Sequence, residues 1–199
     1  GNAKSRVLEA LAEMGTQVLH LEALAAHKGS VLGALPDTPQ PAQRMFETQL
    51  YAALSAFDPA RPVYVEAESR RIGVLHLPDA LINAIRAAPC LRIEASTAAR
   101  VNFLLRDYDY FLANPALLTD KIVHLKGLQS DKTLARWQAM ANAGEFPALF
   151  GELLEHHYDP LYQKSQGKNY TGYDAAASFA TDDLSPAGVK AIAERILAG

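Results

Sequence analysis

Gly1-Asn2-Ala3-Lys4-Ser5 leads straight into Arg6-Val7-Leu8-Glu9-Ala10-Leu11, with Gly15 and then Gln17-Val18-Leu19-His20-Leu21 beyond it. Apolar residues at 7, 8, 11 and 14 have helical spacing, Gly15 stops the helix, and 17–21 reads as a strand. A short polar segment ending in Lys-Ser at a helix N-terminus, with a strand after the helix, matches the second half of a phosphate loop, G-x-x-x-x-G-K-[ST]. Ala3 stands where the last glycine of that pattern is expected. The pattern also expects a buried strand before the loop, so this reading implies a fragment or a trimmed chain. The amides of Gly1, Asn2 and Ala3 and the helix dipole would attract phosphate. Lys4 would reach terminal phosphate oxygens, and Ser5 would ligate Mg²⁺. On the competing reading, Lys4 and Ser5 are polar residues at a frayed terminus.

Outward from this segment, buried strands are expected at 18–22, 63–66, 91–95 and 177–181. Helices at about 4–14, 41–56, 78–87 and 186–197 fall between them. That alternation predicts an α/β fold, a phosphate-loop NTPase-like parallel sheet with helices packed on it. Residues 98–112, 115–125, 131–143 and 145–156 are helical by pattern, too long a stretch for a simple crossover. They predict a mainly helical insertion or lid over 97–165, with 1–96 and 166–199 forming the core. The polar, glycine-containing stretch 164–172 reads as a mobile loop. Ser185-Pro186 starts the last helix with a cap and a first-turn proline.

The 199 residues suit one domain with an insertion, and 49% hydrophobic with 21% charged residues excludes disorder and collagen-like sequence. Nineteen basic against 22 acidic residues leave a net charge of −3, which argues against a globally basic nucleic-acid binder. The single cysteine, Cys90, forms no internal disulfide and suits a reducing, cytoplasmic setting. No apolar run reaches the ~20 residues of a membrane span, so no membrane partner is expected.

Val63-Tyr64-Val65-Glu66-Ala67-Glu68-Ser69-Arg70-Arg71 is a hydrophobic strand running into acids and then arginines. Ligands of open α/β sheets bind at the carboxyl ends of strands. Glu66 and Glu68, two apart on an extended chain, would share one face there, hold Mg²⁺ or act as a base. Arg70 and Arg71 would bind phosphate bidentately, or the whole set is surface ion pairs. After the first strand come Glu22, His27, Lys28, Gly29 and Ser30. His27 would serve as an acid/base near neutral pH. The alternative is a helix C-terminus with cations on its dipole and Gly29 as cap. Residues 41–56 start a helix at Gln40-Pro41-Ala42-Gln43, with Phe46 and Leu50 on its core face. His156-His157-Tyr158-Asp159 tempts a metal reading, but adjacent histidines lack the i, i+3 or i+4 spacing. A polar helix end with Tyr158 and Tyr162 packing is the better reading. Trp137 reads as core of the helical part, and Cys90 as an inert thiol.

In order along the chain, GNAKS, VLHLEALAAHKGSVLG, QPAQRMFE, VYVEAESRRIG and LLEHHYDPLY resemble the C-terminal phosphate-loop domain of the tRNA 2-selenouridine synthase family, nearly end to end. The resemblance implies a full enzyme with an N-terminal rhodanese-like domain carrying the catalytic cysteine, a role Cys90 does not inherit. It implies transfer of a geranyl group from geranyl diphosphate to wobble 2-thiouridine of tRNA, followed by replacement with selenium from selenophosphate. Combined with residue chemistry, it implies that Lys4 and Ser5 hold a diphosphate with Mg²⁺, and that Glu66 and Glu68 complete the metal site or orient water. His27, Lys28, Arg70 and Arg71 would neutralise diphosphate or tRNA phosphate. Glu22, Gly29, Ser30, Gln40, Gln43, Ser69, His157 and Asp159 are the other positions falling in these strings.

Three functions compete at this point. The first is a transferase domain binding a prenyl diphosphate and tRNA. The second is an ATP-dependent small-molecule kinase, which the loop and helical lid would also suit. The third is a non-catalytic module whose degenerate loop docks tRNA or the rhodanese-like domain.

Overall fold

The computed structural model describes residues 2–162 and 169–199. Helix α1 (Lys4–Glu13) begins at Ala3, whose φ of 53° and ψ of 26° are left-handed. Alanine here adopts the backbone that glycine takes without a Cβ penalty, at the position where the loop pattern expects glycine. Gly15, at φ 84°, ends the helix, and the chain enters β1 (Gln17–Leu19).

The strand expected at 18–22 is shorter. The Leu21 N–H donates to Glu66 Oε2 at 2.9 Å, and the chain coils there into the short helix α2 (Leu21–Leu24). Glu22 therefore sits in the first turn of a helix, where its charge suits the dipole, and not in a strand. Helix α3 (Gln43–Ser55) buries Phe46 and Leu50, as its pattern predicts. Strand β2 (Val63–Val65) pairs parallel with β1. A hairpin the sequence did not reveal follows, β3 (Arg71–Ile72) and β4 (Leu75–His76). After α4 (Asp79–Ala87), β5 (Leu91–Ala95) pairs parallel with β6 (Ala177–Thr181), and both match their expected bounds.

The chain is thus α/β with parallel pairing, but among the described residues the two parallel pairs are not hydrogen-bonded to each other. The expected continuous sheet is therefore absent from these residues. At the β5 edge, the Asn2 side-chain amide donates to the Ile93 carbonyl at 2.8 Å, so the loop tail takes an acceptor there.

Between β5 and β6 lie α5 (Thr97–Asp107), α6 (Asp109–Ala113), α7 (Pro115–Val123), α8 (Asp131–Asn142) and α9 (Phe146–Leu153). Tyr108, at φ −121° and ψ 34°, breaks the expected 98–112 helix in two. A π-helical turn, Leu154–Tyr158, extends α9. Helix α10 (Pro186–Ala198) closes the fold, with Ser185 Oγ accepting from the Gly188 N–H at 3.3 Å.

Three apolar clusters hold these elements. Val7, Leu8 and Leu11 of α1 pack with Val189 and Ile192 of α10 and with Ile93 and Phe179 of β5 and β6. Leu19, Phe46, Leu50, Ile72, Leu75 and Ile82 form a second cluster around α3, α4 and the hairpin. The helical stretch has its own core around fully buried Trp137, Phe111, Leu118 and Ile122, and of the α1–α4 side it includes Leu32. The Trp137 Nε1–H donates to Glu152 at 2.8 Å. Among the described residues no helix is long and apolar enough to cross a membrane. Most of the expected loop at 164–172 lies outside the described residues, as does Gly1.

Candidate functional site

Three chain segments meet at the start of α1. The first supplies Lys4 and Ser5. The second is α2 and the turn after it, with Glu22 and Gly29. The third is the chain leaving β2, with Glu66 and Glu68. The Ser5 hydroxyl donates to Glu22 Oε2 at 2.6 Å, and Lys4 Nζ lies 3.8 Å from Glu68 Oε1. Glu66 and Glu68 are 2% and 7% exposed, so both carboxyls are removed from bulk water. The Tyr170 hydroxyl donates to the Glu68 carbonyl at 2.7 Å and pins this stretch from the far end of the chain.

Gly29 is the wall behind Glu68. Its φ is +65°, and a Cβ placed on it would lie 2.6 Å from Glu68 Oε2. The backbone favours glycine here, and a Cβ would make the Glu68 carboxylate shift.

Three carboxyls around one ammonium cannot all be charged at low cost. Burial pushes Glu66 up to about 7, against the opposing Leu21 N–H bond. Burial also raises Glu68, while the Lys4 charge pulls it down and Glu22 pushes it further up. Lys4 loses to burial but gains more from Glu68, Tyr162, Glu22 and Glu66, and its affinity for its proton rises. The Tyr162 ring lies 5.4 Å from the Lys4 ammonium. A carboxyl near 7 beside a fixed cation is suited to moving a proton at neutral pH.

The other expected residues are placed elsewhere. His27 is buried, and its Nδ1 accepts from the Gly29 N–H at 3.1 Å. Burial and the charge of Lys121 lower its proton affinity, so it is a neutral ring shaping the turn. The helix-end reading of this segment fails in detail. Helix α2 stops at Leu24, Ala26 takes the left-handed turn at φ 48°, and His27 pairs with Ala34 as an isolated bridge. Lys28 is held by Asp107, not by any group of the cluster. Ser30 lies beside the Tyr108 and Tyr158 hydroxyls. Arg70 pairs with Asp79, Arg71 Nε donates to the Gly73 carbonyl, and Ser69 closes a local turn with the Arg71 backbone. All three are exposed.

Gln40 and Gln43 are clamps. Gln40 Nε2 donates to the Ala25 and Ile72 carbonyls, and its Oε1 accepts from the Val74 N–H. Gln43 exchanges bonds of 2.8 and 2.9 Å with the His76 backbone, as a neighbouring strand would. Asp159 grips Arg100 through two bonds of 2.9 and 2.5 Å. His157 is 2% exposed, and neither ring nitrogen has a hydrogen-bond partner among the described residues. Cys90 is half-buried, with its thiol pushed up by burial.

Sequence reasoning missed Arg100 and Asp107, and it placed Tyr162 in packing and not beside Lys4. No sequence signal joins residue 28 to residue 107, or 4 to 162. Tertiary packing brings Asp107 to Lys28 and Tyr162 to Lys4.

Mg²⁺ takes hard oxygen donors and is commonly held by one or two carboxylates together with substrate phosphates and waters. The Ser5 and Glu22 oxygens fit that mode. Among the described residues no three His, Cys, Asp or Glu side chains converge on a metal position, so the described residues supply only part of such a shell.

Residues 1–127 match the family described as the tRNA 2-selenouridine synthase AAA domain. The chain is 34% identical over 190 residues to the tRNA 2-selenouridine synthase of Alcanivorax borkumensis, covering 81% of this chain and 51% of the relative. The enzyme of that name from Cupriavidus pinatubonensis is 39% identical over 179 residues, covering 74% and 48%. That from Azotobacter vinelandii is 32% identical over 191 residues, covering 81% and 50%. The chain spans about half the length of these relatives. No solved structure matches it. With a loop tail, the acids facing it and a family match running over most of its length, the chain belongs to the tRNA 2-selenouridine synthase family.

Proposed function

We propose that this chain is the phosphate-loop part of an enzyme that converts wobble 2-thiouridine of tRNA to 2-selenouridine. On this reading the enzyme first transfers a geranyl group from geranyl diphosphate to the sulfur, then replaces it with selenium from selenophosphate. A rhodanese-like domain, supplied by the remainder of the full-length protein, carries the second step. Residues of this chain bind the diphosphate and part of the tRNA. The observation that carries the reading is the meeting of Lys4 and Ser5 with Glu22, Glu66 and Glu68 at the start of α1. The family membership supports the choice of substrate class.

Ala3 takes a left-handed backbone where α1 begins, and the first amides of that helix, which lack intrahelical partners, would donate to a phosphate. Lys4 opposes the charge that builds on a departing diphosphate. Ser5 and Glu22 would hold Mg²⁺, which when bound neutralises phosphate charge. Glu66 holds or releases a proton near neutral pH. Glu68 sets the position of the Lys4 ammonium from its seat against Gly29.

The test is equilibrium binding of geranyl diphosphate and of ATP, each with Mg²⁺, to the full-length protein and to Lys4→Ala. Geranyl diphosphate binds, ATP does not, and Lys4→Ala weakens binding by about 10- to 100-fold, the loss of one or two charge-assisted contacts. Binding of ATP without geranyl diphosphate would move the protein to the kinase class.

A further inference from the structure

Lys28 precedes Gly29, the residue pressed against Glu68, yet its ammonium is committed to the helical stretch. Its Nζ lies 2.7 Å from Asp107 Oδ2 and also donates to the Asp107 carbonyl. The Tyr108 ring lies 4.1 Å from that ammonium and the Tyr110 ring 5.4 Å. Asp107 is the last residue of α5, where the helix dipole disfavours a carboxylate. It is sustained there by two cations from distant parts of the chain. Arg6, two residues beyond Lys4, donates to Asp107 Oδ1 at 2.8 and 3.2 Å and leaves Oδ2 to Lys28. Burial alone would raise Asp107; the bonds from Lys28 and Arg6 outweigh it and hold the acid below its ordinary range.

We infer that Asp107 is a latch that holds Lys28 in reserve, and that a bound diphosphate draws Lys28 off Asp107 onto its own oxygens. The inference rests on the reading of the Lys4 loop as a phosphate site. Three features make the exchange feasible. Lysine is a point charge on a flexible four-carbon stem, a donor well suited to phosphate. Its backbone adjoins Gly29, which is pressed against Glu68, so its stem starts one residue from the cluster. Arg6 keeps its bonds to Oδ1, so Asp107 is not left a half-buried charge without a partner when Lys28 departs. Asp107 is on this view a positioning residue, acting on the site through Lys28.

The test is calorimetric titration of the full-length protein with inorganic pyrophosphate and Mg²⁺. Wild type is compared with Lys4→Ala, Lys28→Met, Asp107→Asn and the double variant Asp107→Asn/Lys28→Met. Asp107→Asn binds about tenfold more tightly, the equivalent of one added charge-assisted contact. In the Lys28→Met background Asp107→Asn gives no gain. Unchanged or weaker binding by an Asp107→Asn protein that melts like wild type overturns the latch. So does an equal gain from Asp107→Asn when Lys28→Met is the reference, since that assigns it to general potential. If Asp107→Asn fails to fold, Lys28→Met carries the test: the latch requires weaker binding, and unchanged binding overturns it. Wild-type binding that does not depend on Lys4 refutes the phosphate-site reading itself, and the latch with it. Lys4-dependent binding with no Asp107 effect refutes the latch alone.

Discussion

Replacing Glu66 with Gln isolates the effect of a buried carboxyl at the site. In the fold Glu66 is 2% exposed, and burial raises it to about 7 from an ordinary 4.5. Between pH 4.5 and 7 the folded chain therefore binds this proton while the unfolded chain has released it. Stability attached to the protonated form is full below 4.5 and is lost as pH rises through about 7. The gap between the two values corresponds to about 3 kcal/mol at 1.36 kcal/mol per pH unit. Gln cannot ionise, and its Oε1 can still accept from the Leu21 N–H that Glu66 holds at 2.9 Å. Lys4 keeps Glu68 and Glu22 as neighbours. Glu66→Gln is accordingly as stable as the parent at pH 4.5 and more stable by up to about 3 kcal/mol at pH 8. Urea unfolding followed by circular dichroism at the two pH values measures this difference directly. A variant that is less stable at pH 8, by as much as at pH 4.5, would refute the reasoning. It would mean that Glu66 is ionised and stabilising in the folded chain.

Two further substitutions test the walls of the site. Gly29→Ala puts a Cβ 2.6 Å from Glu68 Oε2 on a backbone at φ +65°, so about 2 kcal/mol of stability is lost and Glu68 is displaced from Lys4. Unchanged urea midpoints and pyrophosphate affinity would contradict that packing. Gln40→Ala leaves the Ala25 and Ile72 carbonyls and the Val74 N–H without their partner and lowers stability by about 2–3 kcal/mol. A melting temperature equal to wild type would show that Gln40 is no clamp.

The hairpin at 71–76 shows why some elements escape a one-dimensional reading. Each of its strands has two residues, too short for any alternation to register. Its pairing is enforced from outside, by Gln40 and Gln43 acting as surrogate backbone. Strand β1 ends early for a related reason, because a side chain 45 residues away captures the Leu21 N–H. Longer elements with a steady apolar face, such as α3, α8 and α10, follow their pattern, since burial of that face decides them.

At the site, Lys4, Ser5, Glu66 and Glu68 were legible because their chemistry is local. A Lys-Ser pair opens a helix, and acids end a hydrophobic strand. The sequence by itself determined the alternation of strands and helices, the apolar helical stretch and the family strings, all of which rest on periodicity and short-range spacing. Tertiary structure alone decided which charges meet. It set Glu22 on Ser5, Gly29 behind Glu68, and Asp107 on Lys28 and Arg6. It turned Arg70 and Arg71 toward local partners. Charge pairing depends on the distance between segments far apart in the chain. That distance is set by how the apolar clusters pack, a property no local stretch of sequence carries.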